Sequence, residues 1–438
     1  MMPIPSSNPL IELNHVSRSF SQDHRPDVRV IDDCSLKIYP GELVALIGKT
    51  GSGKSTLLRM MAGLIQPTQG QVLYQGQPVT QPIPGLSMVF QDFALLPWLS
   101  VLGNVELGLE ALPYKHHERR EKALRAIDMV GLDGFESAYP KELSGGMCQR
   151  VGLARALAVD PTILLMDEPF SALDTLTSEN LRADLMDLWN TEQTNLSAIL
   201  MVTHSIEEAA LMADRILVFS ANPGRIKTEL RTALPHPRTE QDPAFQPWID
   251  QVYDSITQAA QDDKPAGSRY KVIDLNYRLP SVSISELSGL IEALNNHEDS
   301  HKTDLSVFAE DMGLDVDDLF QITEVLEILR LIYLEKGDII LTPIGRAFAD
   351  ADILSRKTIF AQQLSAHVPL IRHIRRILED RYNQSANESR FLVELQDSLT
   401  EESAKAVLTI AIDWGRYAEL FAYNVNTGLL SLEDPDSI

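Results

Sequence analysis

The run Gly48-Lys49-Thr50-Gly51-Ser52-Gly53-Lys54-Ser55 fits G-x-x-x-x-G-K-[ST], and Thr56 continues it. No other feature narrows the possible folds so far, because this motif works only between a buried strand and a helix. The flanks meet that demand. Leu43-Val-Ala-Leu-Ile47 is an apolar run too short for a helix, and Leu57, Leu58, Met61 and Ile65 line one face of the segment that follows. Glycines let backbone N–H groups converge on an anion where a helix N-terminus adds partial positive charge. Lys54 supplies a point charge for β- and γ-phosphates, and Ser55 offers a hydroxyl to Mg²⁺.

Three more short apolar runs, Ile163–Met166, Ala198–Val202 and Arg215–Phe219, alternate with helical patterns between Leu10 and Val218. They read as buried, mostly parallel strands, which makes this part α/β, a P-loop NTPase domain. Pro113 to Ala138 is helical, with Ala123, Ile127 and Val130 on one side and the charges Glu118 to Lys122 opposite. The run Ile163-Leu-Leu-Met166 ends in Asp167-Glu168. Such a strand lifts Asp167 to the sheet's carboxyl edge beside the phosphate loop, where it can hold the magnesium shell, and leaves Glu168 able to polarise an attacking water.

Charge and length bound the rest. With 438 residues, two or three domains are expected. The 38 basic and 62 acidic residues give −24, which disfavours general nucleic-acid binding. Cys34 and Cys148 cannot form a disulfide framework, as suits a reducing cytosol. No stretch reaches 18 apolar residues. The segment Met1 to Asn8 has neither a basic region nor an apolar core, so no signal peptide is expected.

Leu234 to Ser268 is rich in Pro, Gln and Asp around one amphipathic segment near Trp248 to Ile256, and reads as a domain end plus linker. The expected division is 1–262, a linker at 263–270, and a second domain at 271–438. In the latter, helical periodicity at Leu305 to Met312 is followed by Gly313 and a helix from Val316 to Leu331. The run Ile332–Leu341 then turns at Lys336-Gly337-Asp338. Helix, turn, helix and hairpin outline a winged helix within a mostly α domain, and further helices end near Tyr423.

The order of four further motifs carries a resemblance. Leu143-Ser144-Gly145-Gly146-Met147 leads into Gln149-Arg150-Val-Gly-Leu-Ala-Arg155, ahead of Asp167. Ser171-Ala-Leu-Asp174 follows, Gln91 lies between the glycine loop and this signature, and His204 closes the next strand. This order, over about Leu10 to Leu234, resembles the ATPase subunit of an ATP-binding cassette (ABC) transporter. The resemblance implies ATP as ligand, Mg²⁺ held by Ser55, Gln91 and Asp167, and Glu168 and His204 as catalytic groups. It implies that Ser144, Gly145 and Gly146, which also read as a helix N-cap, close over ATP bound to a second subunit. Gln91 would link the metal and the attacking water to the transporter interface. Phe20, where the family more often has Tyr, would stack on adenine. Met147 and Cys148 depart from the family's Gln-rich signature, but the residues that handle phosphate are intact. Cys148 reads as a small helix residue rather than a redox switch.

Gln91-Asp-Phe-Ala-Leu-Leu-Pro-Trp98-Leu-Ser-Val-Leu-Gly-Asn104-Val resembles the segment of nitrate, sulfonate and taurine importers that receives the permease. Leu341–Phe348 and Ile410–Tyr423 resemble the AAA-associated C-terminal domain of that group, a docking or regulatory domain. The implied function is ATP hydrolysis driving uptake of a small oxyanion of nitrate, sulfonate, taurine or bicarbonate type. Implied partners are an integral membrane permease, a second ATPase subunit (the same chain or a paralogue) and, through the permease, a periplasmic or lipoprotein substrate-binding protein. The implied location is peripheral, at the cytoplasmic face of the inner membrane. The competing reading is a soluble ABC ATPase, or a winged-helix regulator, acting on nucleic acid. One cassette, no long heptad region and the negative charge argue against both, and no nucleic-acid partner is expected.

Overall fold

The computed structural model describes residues 8–432 except 23–24, 50, 172, 191–193, 221–222, 262–269, 297–301, 315 and 336. Its contacts sort into two units, Met1–Ser19 with Arg29–Ile249, and Phe20–Val28 with Asp250–Ile438. The expected linker, 263–270, lies outside the described residues apart from Tyr270. The division between units falls inside the helix Phe245–Gln261, between Ile249 and Asp250.

The first unit is built on a six-stranded sheet in the order Ile226–Arg231, Arg215–Phe219, Glu42–Gly48, Ala198–Thr203, Ile163–Asp167, Leu86–Val89. The first pairs antiparallel with its neighbour and the other five run parallel. Leu43–Ile47, Ile163–Met166 and Ala198–Val202 are all at most 2% exposed. Burial on both faces is why these strands read as unbroken apolar runs. A four-stranded sheet, ordered Arg25–Ile38, Ile11–Gln22, Gln69–Tyr74, Gln77–Pro78, with the last three strands antiparallel in turn, escapes that criterion. Along Ile11–Asn14 only Ile11 and Leu13 are buried, the alternation of a strand with one covered face. The helix after the glycine loop, Lys54–Met61, stops short of Ile65. Gly63 there takes φ +73, and a Cβ on it would meet the Gln81 carbonyl oxygen at 2.3 Å. Helices Val101–Leu107, His116–Met129 and Gly145–Ala158 pack on one another beside this core, with Ala123, Ile127 and Val130 buried as their spacing predicts.

In the second unit, helix Ile284–Asn296, strand Thr303–Asp304, helices Leu305–Met312 and Val316–Ile328, and strands Ile332–Glu335 and Asp338–Leu341 follow in order. The strands form one sheet with Asp338–Leu341 in the middle. This is the expected winged-helix outline with a two-residue strand added, and its second helix ends at Ile328 rather than Leu331. The segment Leu341–Phe348 then does structural work. Thr342 Oγ1 accepts from Gly345 N at 3.0 Å to cap helix Pro343–Asp350, and a Cβ on Gly345 would meet the Leu331 carbonyl oxygen at 2.0 Å. Four more helices follow among the described residues. The last ends at Tyr417, because Ala422–Asn424 is a strand paired with Leu429–Ser431, which also pairs with Ser385–Asn387. Trp414, Phe360 and Phe391 are at most 1% exposed in this core. Among the described residues, no helix is long and apolar enough to cross a membrane.

Candidate active site

Parallel strands place their carboxyl ends along one edge, and four neighbours here bring their following residues to it. Glu42–Gly48 leads into the glycine loop, Ala198–Thr203 into His204, Ile163–Asp167 into Glu168, and Leu86–Val89 into Phe90 and Gln91.

The loop's glycines are required by its path. A Cβ on Gly48 would meet the Phe219 carbonyl oxygen at 2.4 Å, and Gly53, the helix N-cap, takes φ +100 with no side chain capping the first turn. The uncapped end suits an anion. Lys54 is 4% exposed, its ammonium donating to the carbonyls of Gly48 and, at 3.1 Å, Lys49. Among the described residues, Ser52 Oγ is buried without a hydrogen-bond partner, as a group that meets a phosphate oxygen would be. Lys49, Gly53, Ser55 and Thr56 are half-buried and Gly51 is exposed, whereas Thr50 lies outside the described residues.

Ser55 Oγ donates to Asp167 Oδ1 at 3.0 Å. Asp167 is 3% exposed, and burial raises its pKa against the opposing effect of the Ser55 hydroxyl. Glu168 takes φ 46, in the left-handed region, while its N–H still bonds Val202 O at 2.9 Å. Its Oε2 accepts from Gln91 Nε2 at 2.8 Å and stands 3.5 Å from His204 Nδ1. The His204 contact holds the Glu168 carboxyl below its ordinary range, against burial. Glu168 is therefore ionised at neutral pH and able to accept a proton.

Thus Ser55, Asp167, Glu168, Gln91 and His204 come together as their motifs predict. Ser55, Asp167 and Gln91 present oxygen donors, the chemistry of Mg²⁺. Among the described residues, no group of three or more His, Cys, Asp or Glu could hold a metal by itself.

Ser144 caps helix Gly145–Ala158, its Oγ accepting from Met147 N at 3.3 Å. Ser144 and Gly145 are exposed, while Gly146 is buried, where a Cβ would meet Thr177 Cγ2 at 2.3 Å. Phe20, half-buried near the end of strand Ile11–Gln22, sorts with the second unit. Cys34 is buried and its thiol is pushed up to about 12, and burial also raises Cys148, so neither is a ready thiolate.

Two residues quoted within motifs have roles that motif reading misses. Asn104, fully buried, donates through Nδ2 to the carbonyls of Leu96, Leu99 and Ser100 and accepts from Leu96 N at 2.8 Å. It fixes the loop on which Leu95, Leu96 and Leu99 are half-buried while Trp98 is 69% exposed. Arg155 donates to the carbonyls of Phe93 and Ala94, two and three residues beyond Gln91. The only signal in the sequence is a polar residue standing where helical spacing asks for an apolar one.

The ABC transporter family profile matches residues 31–171, and that of the C-terminal AAA-associated domain matches residues 307–424. An uncharacterized ABC transporter ATP-binding protein of Methanocaldococcus jannaschii is 47% identical over 211 residues, covering 48% of this chain and 78% of that protein. The nitrate import ATP-binding protein NrtD of Synechocystis sp. is 46% identical, covering 51% of this chain and 83% of its own. The aliphatic sulfonates import ATP-binding protein SsuB of Bacillus cereus is 39% identical, covering 54% and 91%.

Proposed function

The chain belongs to the family of ABC transporter ATP-binding proteins, and on that premise we propose that it is the ATP-hydrolysing subunit of an importer for a small oxyanion such as nitrate or a sulfonate. The observation that carries this is the junction at Glu168, an ionised carboxylate contacted by Gln91 and His204 one residue from the Ser55-bound Asp167.

In this reading the backbone of Gly48–Gly53 and the Lys54 ammonium hold the phosphates. Ser55, Asp167 and Gln91 would hold Mg²⁺, which when bound neutralises charge developing on the phosphate oxygens. Glu168 orients a water and accepts its proton as the oxygen attacks the γ-phosphorus and the bond to the ADP oxygen breaks. His204 contacts the γ-phosphate and keeps Glu168 ionised. Ser144, Gly145 and Gly146 of a second subunit close over the same ATP, and the exposure of Ser144 and Gly145 is what such a contact needs. Closure would act on a membrane permease through Gln91 to Trp98, whose indole is exposed on a loop that Asn104 makes rigid. The protein would then sit peripherally at the cytoplasmic face of the membrane, with a substrate-binding protein engaging the permease from the other side.

The test is Mg²⁺-dependent ATP hydrolysis by the purified chain, followed by co-purification with an integral membrane permease from the source cells. Absence of hydrolysis in both the isolated and the permease-bound protein refutes the reading. The winged-helix topology favours a second reading, a regulator that binds DNA. The residues after Tyr270 carry 15 basic and 29 acidic residues, or −14, which argues against it, and a gel shift of the whole chain decides.

A further inference from the structure

We infer that Arg155 is a positioning residue for hydrolysis: it ties the turn that carries Gln91 to helix Gly145–Ala158, so that the contact of Gln91 with Glu168 depends on where that helix stands. The inference rests on the roles proposed for Gln91 and Glu168.

Phe93 and Ala94 take φ 58 and 48, two successive non-glycine residues in the left-handed region. That backbone is costly and persists only where its surroundings hold it. The holder is Arg155, whose Nη2 donates to Phe93 O at 2.8 Å and whose Nη1 donates to Ala94 O at 2.6 Å. Among the described residues no carboxylate pairs with Arg155, so its charge is directed at these two carbonyls. Charge-assisted bonds are roughly twice as strong as neutral ones, and a planar fork fits two adjacent acceptors as a lysine cannot. The turn also rests on the helix at Gly152, where a Cβ would stand 3.6 Å from Phe93 O.

Gln91 stands two residues before Phe93, the first residue of this clamped turn, and makes the 2.8 Å bond to Glu168. Ser144, at the other end of the same helix, is the exposed cap proposed to meet the second subunit's ATP. One rigid helix therefore joins a group that senses the neighbour's nucleotide to a group that touches this chain's catalytic carboxylate. A helix displaced by closure carries the Phe93–Ala94 turn, and with it Gln91, through Arg155. The physical basis is a bonded connection between two sites rather than spatial proximity alone.

The experiment measures kcat, KM and ATP affinity for the 438-residue chain carrying Arg155→Ala, Arg155→Lys, Gln91→Ala and the Arg155→Ala/Gln91→Ala pair, each with its melting temperature. Arg155→Ala should lower kcat about 10- to 100-fold, as misplacing a reacting group does, and leave ATP affinity within about threefold. Arg155→Lys should recover part of the loss. In the Gln91→Ala background, Arg155→Ala should cost less than about twofold more, because its effect runs through Gln91. Equal losses with and without Gln91, or wild-type kcat in folded Arg155→Ala, would overturn the inference. Should Arg155→Ala not fold, Arg155→Lys decides: a reduced kcat at unchanged melting temperature supports the clamp, and an unchanged kcat refutes it. A Gln91→Ala chain as active as wild type would instead refute the reading of the site itself.

Discussion

Glu168 is the residue on which strain, charge and position meet. Its left-handed φ of 46 turns the side chain away from the strand path, at a cost of about 1 kcal/mol or more. Burial would favour the neutral acid, yet His204 holds it ionised. Glu168→Gln keeps the size and an acceptor oxygen but cannot take a proton. Turnover should fall about 10²–10⁴-fold while ATP binding persists, and the variant should accumulate as an ATP-bound closed dimer on gel filtration. Hydrolysis above a third of the wild-type rate would rule out this assignment. Lys54→Ala should fail earlier, at binding. One charge-assisted interaction contributes about 1.5–3 kcal/mol, so the Kd for ATP should rise about 10- to 150-fold in a nucleotide titration. At this scale the sequence is legible where chemistry fixes residue types, as at Lys54, Ser55, Asp167, Glu168 and Gln91. At Arg155 the sequence shows only a polar residue at an apolar position and not its partners, because its acceptors are backbone carbonyls that leave no mark on the residues that own them.

Elements show the same division on physical grounds. Strands buried on both faces announce themselves as apolar runs, whereas Thr303–Asp304 and the three-residue strands near the C-terminus are shorter than any period that could reveal them. The loop Leu96–Ser100 is held by one buried side chain that no periodicity predicts. Asn104→Ala strips four hydrogen bonds from backbone groups, so it should destabilise the first unit by about 2–4 kcal/mol, read as a lower denaturant midpoint at unchanged slope. A loss below about 0.5 kcal/mol would mean water replaces the amide. On helix Phe245–Gln261, Asp254 is exposed, and partial desolvation together with the like charges of Asp304, Asp338 and Asp250 raises its pKa above the ordinary 3.8. A carboxyl with a raised folded-state pKa penalises the fold at neutral pH, and the penalty lifts as pH falls through that value. Asp254→Asn should therefore raise the melting temperature by about 1–2 °C at pH 7, and the gain should vanish in acid. An equal gain at both pH values would show that charge is not the cause.

At the scale of the molecule, the two-domain plan is visible in the change of pattern after Tyr270, but the seam is not, because the contact division runs through a continuous helix. Phe245, Trp248 and Ile249 are buried in the part that sorts with the first unit, and Val252 and Tyr253, 0% and 2% exposed, in the part that sorts with the second. The Tyr253 ring lies 6.3 Å from that of Phe320, inside the second unit. Ending the chain at Ala266 removes Phe320 and leaves Val252 and Tyr253 on an uncovered face. The glycine loop, Gln91, Asp167, Glu168 and His204 all remain, because they belong to the first unit. Fragment 1–266 should consequently fold and bind ATP within about threefold of the 438-residue chain, yet self-associate without nucleotide through the bared apolar stripe. Val252→Lys with Tyr253→Lys should return it to a monomer at unchanged ATP affinity, since only solvent-facing surface of the fragment is altered. Light scattering and nucleotide titration of both fragments check this. A fragment that stays aggregated with both lysines in place, or that loses ATP binding, would show that the first unit needs more of the chain than its own core.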